Sequence, residues 1–169
     1  MIDSIRILGI DPGSQITGFG IVDIVGKRTV PVRWGSVHTK GEHSDRLRTI
    51  FAAMSELVQE YRPAEIAIER VFLSRNADSA LKLGQARAAA MCGTFVVDTS
   101  IHEYSARHIK KAVVGNGGAE KTQVQDMVRL LLGIREDLQA DAADALAVAI
   151  CHAHERDAKS AVHAALARA

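Results

Sequence analysis

The hydrophobic pattern of the chain begins with three short apolar segments that are separated by turn residues. The segments cover residues 5–11, 17–25 and 29–39, and Pro-Gly-Ser and Gly-Lys-Arg stand between them. Apolar runs of this length, bounded by Gly, Pro and Asp, are typical of β-strands. The short turns predict an antiparallel meander, because antiparallel neighbours can be joined by only a few residues.

Helical patterns and two further strands follow. Residues 45–61 carry apolar side chains at a helical period, and Pro63 lies past the predicted end of this helix. Residues 64–69 and 100–104 are predicted strands. Four more helices are predicted at residues 76–97, 105–113, 120–132 and 140–154. The order βββαβαβααα predicts an α/β fold in which α-helices flank a five-stranded mixed sheet.

The length and composition predict one globular domain. The chain has 169 residues, of which 47% are hydrophobic and 24% charged, and this suffices for a full core. We assign residues 1–157 to the domain and residues 158–169, an Ala-rich stretch, to a C-terminal tail that is either helical or frayed. No apolar run reaches the ~20 residues of a membrane span, and Asp3 and Arg6 interrupt any signal-peptide core. We therefore expect a cytoplasmic protein without membrane contact.

Charge is distributed unevenly along the chain. The net charge is +1, yet the segment from Arg70 to Lys121 contains eight Lys or Arg and four Asp or Glu. A basic surface beside an acidic remainder suits a protein that meets phosphates near a metal site. A mixed, solvated surface gives the same counts, and the charge distribution alone favours that simpler interpretation.

Four carboxylates carry the main chemical signal. Asp141 and Asp144 are three residues apart in an Ala-rich helical pattern, so both project from one helical face, and its apolar neighbours indicate that this face is buried. Buried charges are costly without a partner, and no Lys or Arg stands within a turn of them. Asp11 and Glu69 end the first and fourth predicted strands. If these strands are neighbours, all four carboxylates meet at one sheet edge.

A carboxylate-only donor set predicts Mg²⁺ or Mn²⁺ rather than zinc, since no His or Cys stands at a matching spacing. Two such ions about 3.5–4 Å apart serve phosphodiester cleavage. Each residue also has a simpler interpretation: Asp11 as a turn residue, Glu69 as a surface charge and Asp141 as a helix cap. His152 lies 11 residues beyond Asp141, about 16 Å along a helix, so we exclude it from these metals and expect it to be partly buried.

Five sequence blocks resemble the RuvC family of bacterial Holliday junction resolvases. They are LGIDPGS…TGFG, AIERVF, NADSALKLGQARA, VVGNGGAEKTQVQ and QADAADALAVAI, in the order and spacing of that family. The family is similar to ribonuclease H in fold, which agrees with the predicted elements. The resemblance implies that Asp11, Glu69, Asp141 and Asp144 are catalytic ligands of two Mg²⁺ ions per subunit, with Mn²⁺ as a substitute.

The resemblance also implies the biological role. Members of the family act as homodimers that nick two opposing strands of a four-way DNA junction symmetrically, in homologous recombination and DNA repair. Their usual partners are the branch-migration proteins RuvA and RuvB. The chain is thus expected to be a Mg²⁺-dependent endodeoxyribonuclease, a crossover junction resolvase.

Several other side chains are predicted to contact DNA. Under the resemblance, Phe72 is a wedge that stacks on an unpaired base; a core position at a strand end is its alternative. Lys121 starts a helix after a Gly-rich loop, and the resemblance places it near the scissile phosphate as a catalytic residue. Four basic side chains are candidate phosphate contacts, each equally well explained as a solvated charge: Arg75, Arg107, Lys110 and Lys111.

A stripe of small side chains is the candidate dimer contact. The stripe consists of Ala80, Gly84, Ala88 and Cys92, which recur every four residues and would let another helix approach closely. Packing on the chain's own sheet is the alternative, and the resemblance favours the dimer. Both cysteines, Cys92 and Cys151, are predicted to be small buried hydrophobic residues.

Three other functions remain open. A ribonuclease H that cleaves RNA–DNA hybrids would use the same four carboxylates. A junction-binding scaffold without activity would need no such cluster. The segment Gly-Ile-Asp-Pro-Gly-Ser at residues 9–14 looks like the first phosphate loop of actin-like ATPases, but those proteins need a second domain for which this chain is too short.

Overall fold

The computed structural model describes residues 4–71 and 76–166, and side chains as far as residue 158. Within these ranges the elements follow the predicted order. The strands are β1 (Ser4–Asp11), β2 (Ile16–Val25), β3 (Arg28–His38), β4 (Glu65–Arg70) and β5 (Ser100–Ser105). The helices are α1 (His43–Tyr61), α2 (Ala77–Thr94), α3 (Ala106–Val114), α4 (Lys121–Leu132) and α5 (Ala140–Leu166).

The strands form one mixed sheet in the order β3-β2-β1-β4-β5. β1, β2 and β3 pair antiparallel, as the short turns between them predict, whereas β1–β4 and β4–β5 are parallel. β1 and β4 are therefore neighbours, with Ile10 opposite Ile68. This register brings the next residue of each strand, Asp11 and Glu69, to the same edge of the sheet.

Each face of the sheet is covered by helices, and β1 supplies side chains to both cores. Leu8 and Ile10 pack with α1 and α2, whereas Ile7 packs with the helices on the other face, including Leu146 of α5. All four side chains are fully buried. Because side chains alternate across a strand, Asp11 lies on the same face as Ile7, which is the face that α5 covers.

Glycines allow α5 to approach the sheet closely. A Cβ at Gly9 or Gly18 would overlap the backbone of α5, and one at Gly20 would lie 2.7 Å from the side chain of Leu146. Gly9 and Gly20 face each other across β1 and β2, and Gly18 faces Asp11. The first turns of α5 therefore lie directly on the strand ends, which sets the position of its two aspartates.

One prediction about the cysteines is wrong. Cys151 is buried as predicted, but Cys92 is exposed, because α2 packs through Ala86, Ala90 and Gly93 and Cys92 lies on the opposite face. α5 continues without a break to Leu166, so the helix extends into the segment assigned to the C-terminal tail. In the part of the chain that the structure describes, no helix has the length and apolar character needed to cross a membrane.

Candidate active site

A pocket of about 260 Å³ opens where β1 and β4 end. It is bounded by the sheet edge, by α3, by the start of α4 and by the N-terminal part of α5. Its ionisable lining residues are Asp11, Glu69, Lys110, Lys121 and Asp144. Three predicted metal ligands thus share one cavity.

Asp141, the fourth predicted ligand, is not among the residues that line this pocket. It lies one turn before Asp144 on α5, is partly buried, and is close enough for its charge to raise the pKa of Asp11. Its backbone carbonyl is packed against Gly18, which faces Asp11 across the strand pair. The four carboxylates therefore belong to one electrostatic cluster.

The cluster holds more negative charge than its surroundings neutralise. Burial, and then the charges of Glu69 and Asp144, raise the pKa of Asp11 to about 7, against the opposing effect of Lys121. Burial and the charge of Asp144 likewise raise the pKa of Glu69. A carboxyl that ionises only near neutral pH shows that added positive charge would be strongly favoured here.

Lys121 bonds directly to one carboxylate of the cluster. Its Nζ donates a hydrogen bond to Oδ2 of Asp144 at 3.0 Å, and this bond raises the pKa of the lysine. The backbone N–H of Glu120 donates to the side chain of Gln123 at 2.9 Å, which fixes the first turn of α4. Because the Lys121 side chain is 79% exposed, its ammonium group also remains accessible to a ligand.

The other predicted DNA contacts differ in their distance from the pocket and in their exposure. Lys110 lines the pocket, lowers the pKa of Glu69 and donates to the carbonyl of Ala119 at 2.7 Å. Arg107 and Lys111 are exposed on α3, and the stem of Arg107 packs against Gly117. Phe72 and Arg75 lie outside the described residues.

Sequence reasoning missed a second polar cluster, at the opposite end of β4. His152 is buried, with 4% of its surface exposed, and its Nε2 donates to Oε2 of Glu65 at 2.6 Å. Arg156 donates to the other carboxylate oxygen of Glu65 at 2.9 Å. The hydroxyl of Tyr104 bonds to Nδ1 of His152 at 2.7 Å. The sequence gives one hint of this cluster: Glu65 and Glu69 are four positions apart in a strand and so lie on the same face of the sheet.

Known proteins match this chain over most of its length. A family model described as "Crossover junction endodeoxyribonuclease RuvC" matches residues 7–152. A protein of that name from Marinobacter nauticus is 55% identical over 150 residues, which are 88% of this chain and 85% of the relative. Another from Methylococcus capsulatus is 53% identical over 156 residues, 92% and 94% of the two chains.

Solved structures give the same result. Thermus thermophilus RuvC superposes with a TM-score of 0.83 at 31% identity, covering 92% of this chain and 97% of the other. A structure of that protein in complex with a Holliday junction substrate gives a TM-score of 0.84 at 31% identity, with coverage of 90% and 94%. The yeast mitochondrial Holliday junction resolvase Ydc2, at 12% identity and a TM-score of 0.65 over 89% of this chain and 79% of its own, shares the fold.

Proposed function

Because the chain belongs to the RuvC family of crossover junction endodeoxyribonucleases, we propose that it is a nuclease that resolves Holliday junctions. It nicks two opposing strands symmetrically, in homologous recombination and DNA repair. The observation that carries the proposal is the convergence of Asp11, Glu69 and Asp144 on one pocket with two lysines at its rim. The relative from Thermus thermophilus, at 31% identity, has been solved with a Holliday junction bound.

The proposed cofactor is Mg²⁺, two ions per subunit, with Mn²⁺ as a substitute. Asp11, Glu69, Asp141 and Asp144 are the proposed ligands, and their chemistry fits, since hard oxygen donors favour these ions. The raised pKa of Asp11 supports a site that holds added positive charge. Ions held by these carboxylates would supply Lewis acidity for activating a water and positive charge beside the leaving oxygen.

The protein's own groups position the phosphate. Lys121 is proposed to place its ammonium group beside the scissile phosphate, where positive charge stabilises the transition state more than the ground state. Its bond to Asp144 holds the side chain over the pocket before DNA binds. Lys110 is held by the carbonyl of Ala119 and adds positive charge at the same rim.

DNA is proposed to lie across α3 and the start of α4. Arg107, Lys110 and Lys111 lie on α3, beside the acidic pocket, and would contact the phosphate backbone. Phe72 is proposed as the base-stacking wedge and Arg75 as a further phosphate contact, on the basis of the family resemblance alone.

The outer face of α2 supports a homodimer. The small-residue stripe lies on this face, and a Cβ added at Gly84 would meet nothing within 4 Å, so the chain's own sheet does not cover it. Leu81 is 67% exposed at one end of the helix, and Phe95, just past its other end, is 64% exposed. An apolar face of this kind suits a second copy, which would present two active sites to opposing strands.

RuvA and RuvB are the proposed partners, and the cytoplasm is the proposed location. Both proposals rest on the family resemblance. A pull-down of RuvA–RuvB–junction complexes with this chain would test the first.

The test of the nuclease proposal compares three labelled substrates in Mg²⁺: a four-way DNA junction, a plain duplex and an RNA–DNA hybrid. We expect paired symmetric nicks in the junction alone, and their loss in Asp11→Asn while junction binding persists. Cleavage of the hybrid instead would assign the chain to the ribonuclease H alternative. Binding without cleavage under any divalent ion would assign it to the scaffold alternative.

A further inference from the structure

The end of β4 opposite the acidic pocket carries a second set of side chains able to ligate a metal. Glu65 begins β4, His102 lies in β5 and His152 lies on α5. One ligand atom from each lies within 4.8 Å of the other two. We propose that these three residues form a binding site for a borderline-soft divalent transition metal ion, with Zn²⁺ as the fitting ion.

The three ligand atoms lie near enough to converge on one ion, but they are not yet at the spacing of a formed zinc site. Zinc bonds to nitrogen and oxygen are about 2.0–2.2 Å long in a tetrahedron, which puts neighbouring ligand atoms roughly 3.4 Å apart. Glu65 and His102 are only partly buried, and binding of the ion would require small inward movements of both side chains. The buried His152 gives the site a fixed point.

His152 is already oriented as a metal ligand requires. Its Nδ1 is hydrogen-bonded to the hydroxyl of Tyr104, and a ligating histidine is commonly held in this way through its other ring nitrogen. Its Nε2 donates to Glu65 and is thus aimed at a carboxylate oxygen. To bind an ion, His152 would carry its proton on Nδ1 instead, where the Tyr104 hydroxyl would accept it, and Nε2 would be free to ligate. The ring of His102 stacks on the His152 ring, with centroids 4.3 Å apart, which brings the second imidazole to the same place.

The charge balance of the site selects against magnesium. Arg156 holds Oε1 of Glu65 at 2.9 Å and leaves Oε2 facing His152. One carboxylate that is already paired with a guanidinium offers little charge to a hard ion. Imidazole nitrogens suit zinc, so the two ends of β4 would take different metals.

The position of the site indicates a structural role. Glu65 and Glu69 are four positions apart on β4, or about 13 Å at the rise of a strand, so an ion here cannot reach the reacting phosphate. It would instead link β4 and β5 to α5, the helix that carries Asp141 and Asp144. The inference is independent of the proposed function.

Cobalt spectroscopy tests the site directly. Co²⁺ gives strong visible bands in a tetrahedral site and weak ones in a six-coordinate oxygen site. The background protein should carry Asp11→Asn and Cys92→Ser, which weaken the acidic cluster and remove the exposed thiol. We expect one equivalent of Co²⁺ to give the strong bands, and one equivalent of Zn²⁺ to abolish them.

Two ligand variants and a matched control complete the experiment. His102→Ala and Glu65→Gln should each lose the bands, whereas His43→Ala, which removes a histidine that pairs with Gln85 elsewhere, should keep them. Zn²⁺ should raise the Tm of the background protein by several degrees but not that of His102→Ala, and circular dichroism would check that the variants are folded. Weak bands in the background protein, or strong bands that survive in folded His102→Ala, would overturn the proposal.

Discussion

Glu65 and Glu69 occupy the same face of the same strand, yet the protein shifts their ionisation in opposite directions. Burial opposes the ionisation of both carboxyl groups and so raises the pKa of each. At Glu69 the charge of Asp144 adds to that effect, and the pKa is raised. At Glu65, hydrogen bonds from Arg156 and His152 outweigh burial, and the pKa is lowered.

The difference shows that the charged groups around a partly buried carboxylate determine both its pKa and its role. The Glu65 end is close to neutral, since its carboxylate is paired with Arg156 at 2.9 Å, and it links α5 to the sheet. The Glu69 end has several carboxylates and one directly bonded ammonium, that of Lys121, among the described residues. An unbalanced cluster of carboxylates in a pocket favours hard divalent cations, whereas a carboxylate that is already paired with a guanidinium does not attract them by charge alone.

Exchanging each glutamate for glutamine tests this comparison most strongly. Glu69→Gln should lower the junction cleavage rate by about 10²–10³-fold or more, the scale of losing one electrostatic stabiliser. Glu65→Gln should leave the Mg²⁺-dependent rate within roughly twofold, because its carboxylate lies far from the pocket. Single-turnover cleavage of a labelled junction measures both, and equal losses would contradict the distinction between the two ends.

Lys121→Ala should give the next largest effect. We expect a rate loss of roughly 10²-fold with a much smaller loss of junction affinity, because the ammonium group is proposed to act in the transition state. Lys111→Ala, which removes an exposed lysine from α3, is the control and should weaken binding slightly without a specific rate effect. If Lys121→Ala weakened binding as much as cleavage, Lys121 would be a simple phosphate contact.

Gly18→Ala should destabilise the protein by about 2–4 kcal/mol, the upper range for a steric clash in a packed region. The added Cβ would overlap the backbone at Asp141 and push α5 from the sheet. Gly84→Ala, where a Cβ meets open space within the subunit, should stabilise the separate subunit by about 0.5–1 kcal/mol, so this control is measured at a protein concentration that favours monomers. Urea unfolding measures both, and a neutral Gly18→Ala would mean that α5 does not rest on β2 as described.

Asp11→Asn should stabilise the metal-free protein at alkaline pH. The pKa of Asp11 is raised from 3.8 to about 7 in the folded state. The contribution of Asp11 to the free energy of unfolding is therefore fully present below about pH 4 and is lost as the pH rises through 7. Asparagine cannot ionise, and we expect a gain of about 1–3 kcal/mol at pH 8, given ~1.4 kcal/mol per pKa unit. Thermal unfolding in EDTA at pH 5 and pH 8 measures this.

Asp98→Asn, at an exposed position, is the control for that experiment and should keep the pH dependence of the wild type, because Asp11 is intact. Mg²⁺ should raise the Tm of the wild type at pH 8 more than that of Asp11→Asn. If the difference in stability between the wild type and Asp11→Asn in EDTA were the same at pH 5 and pH 8, the proposed charge imbalance would be contradicted.

Much of the site could be predicted because its residues follow local patterns. Asp11 and Glu69 each lie at the end of a short apolar run, and Asp141 and Asp144 share a helical face. The sequence does not show that β1 and β4 are neighbours, because strand order depends on contacts between distant segments. The prediction of the site assumes it. The register of Ile10 with Ile68 meets that condition.

Other features could not be predicted, for identifiable physical reasons. Glu65 bonds to His152 and Arg156, which lie 87 and 91 residues away in sequence, and no local pattern reports such pairs. The prediction that Cys92 is buried is wrong because α2 has alanines on several faces, so the apolar pattern does not show which face packs against the sheet. Both cases depend on tertiary packing.

The central claim is that the carboxylates at the Glu69 end hold divalent ions. Crystals of the protein soaked in Mn²⁺ and measured at an X-ray wavelength where manganese scatters anomalously test it most directly. We expect two anomalous peaks within bonding distance of Asp11, with Glu69, Asp141 and Asp144 as the other ligands. The absence of any peak at this cluster in Mn²⁺-saturated crystals would contradict the account.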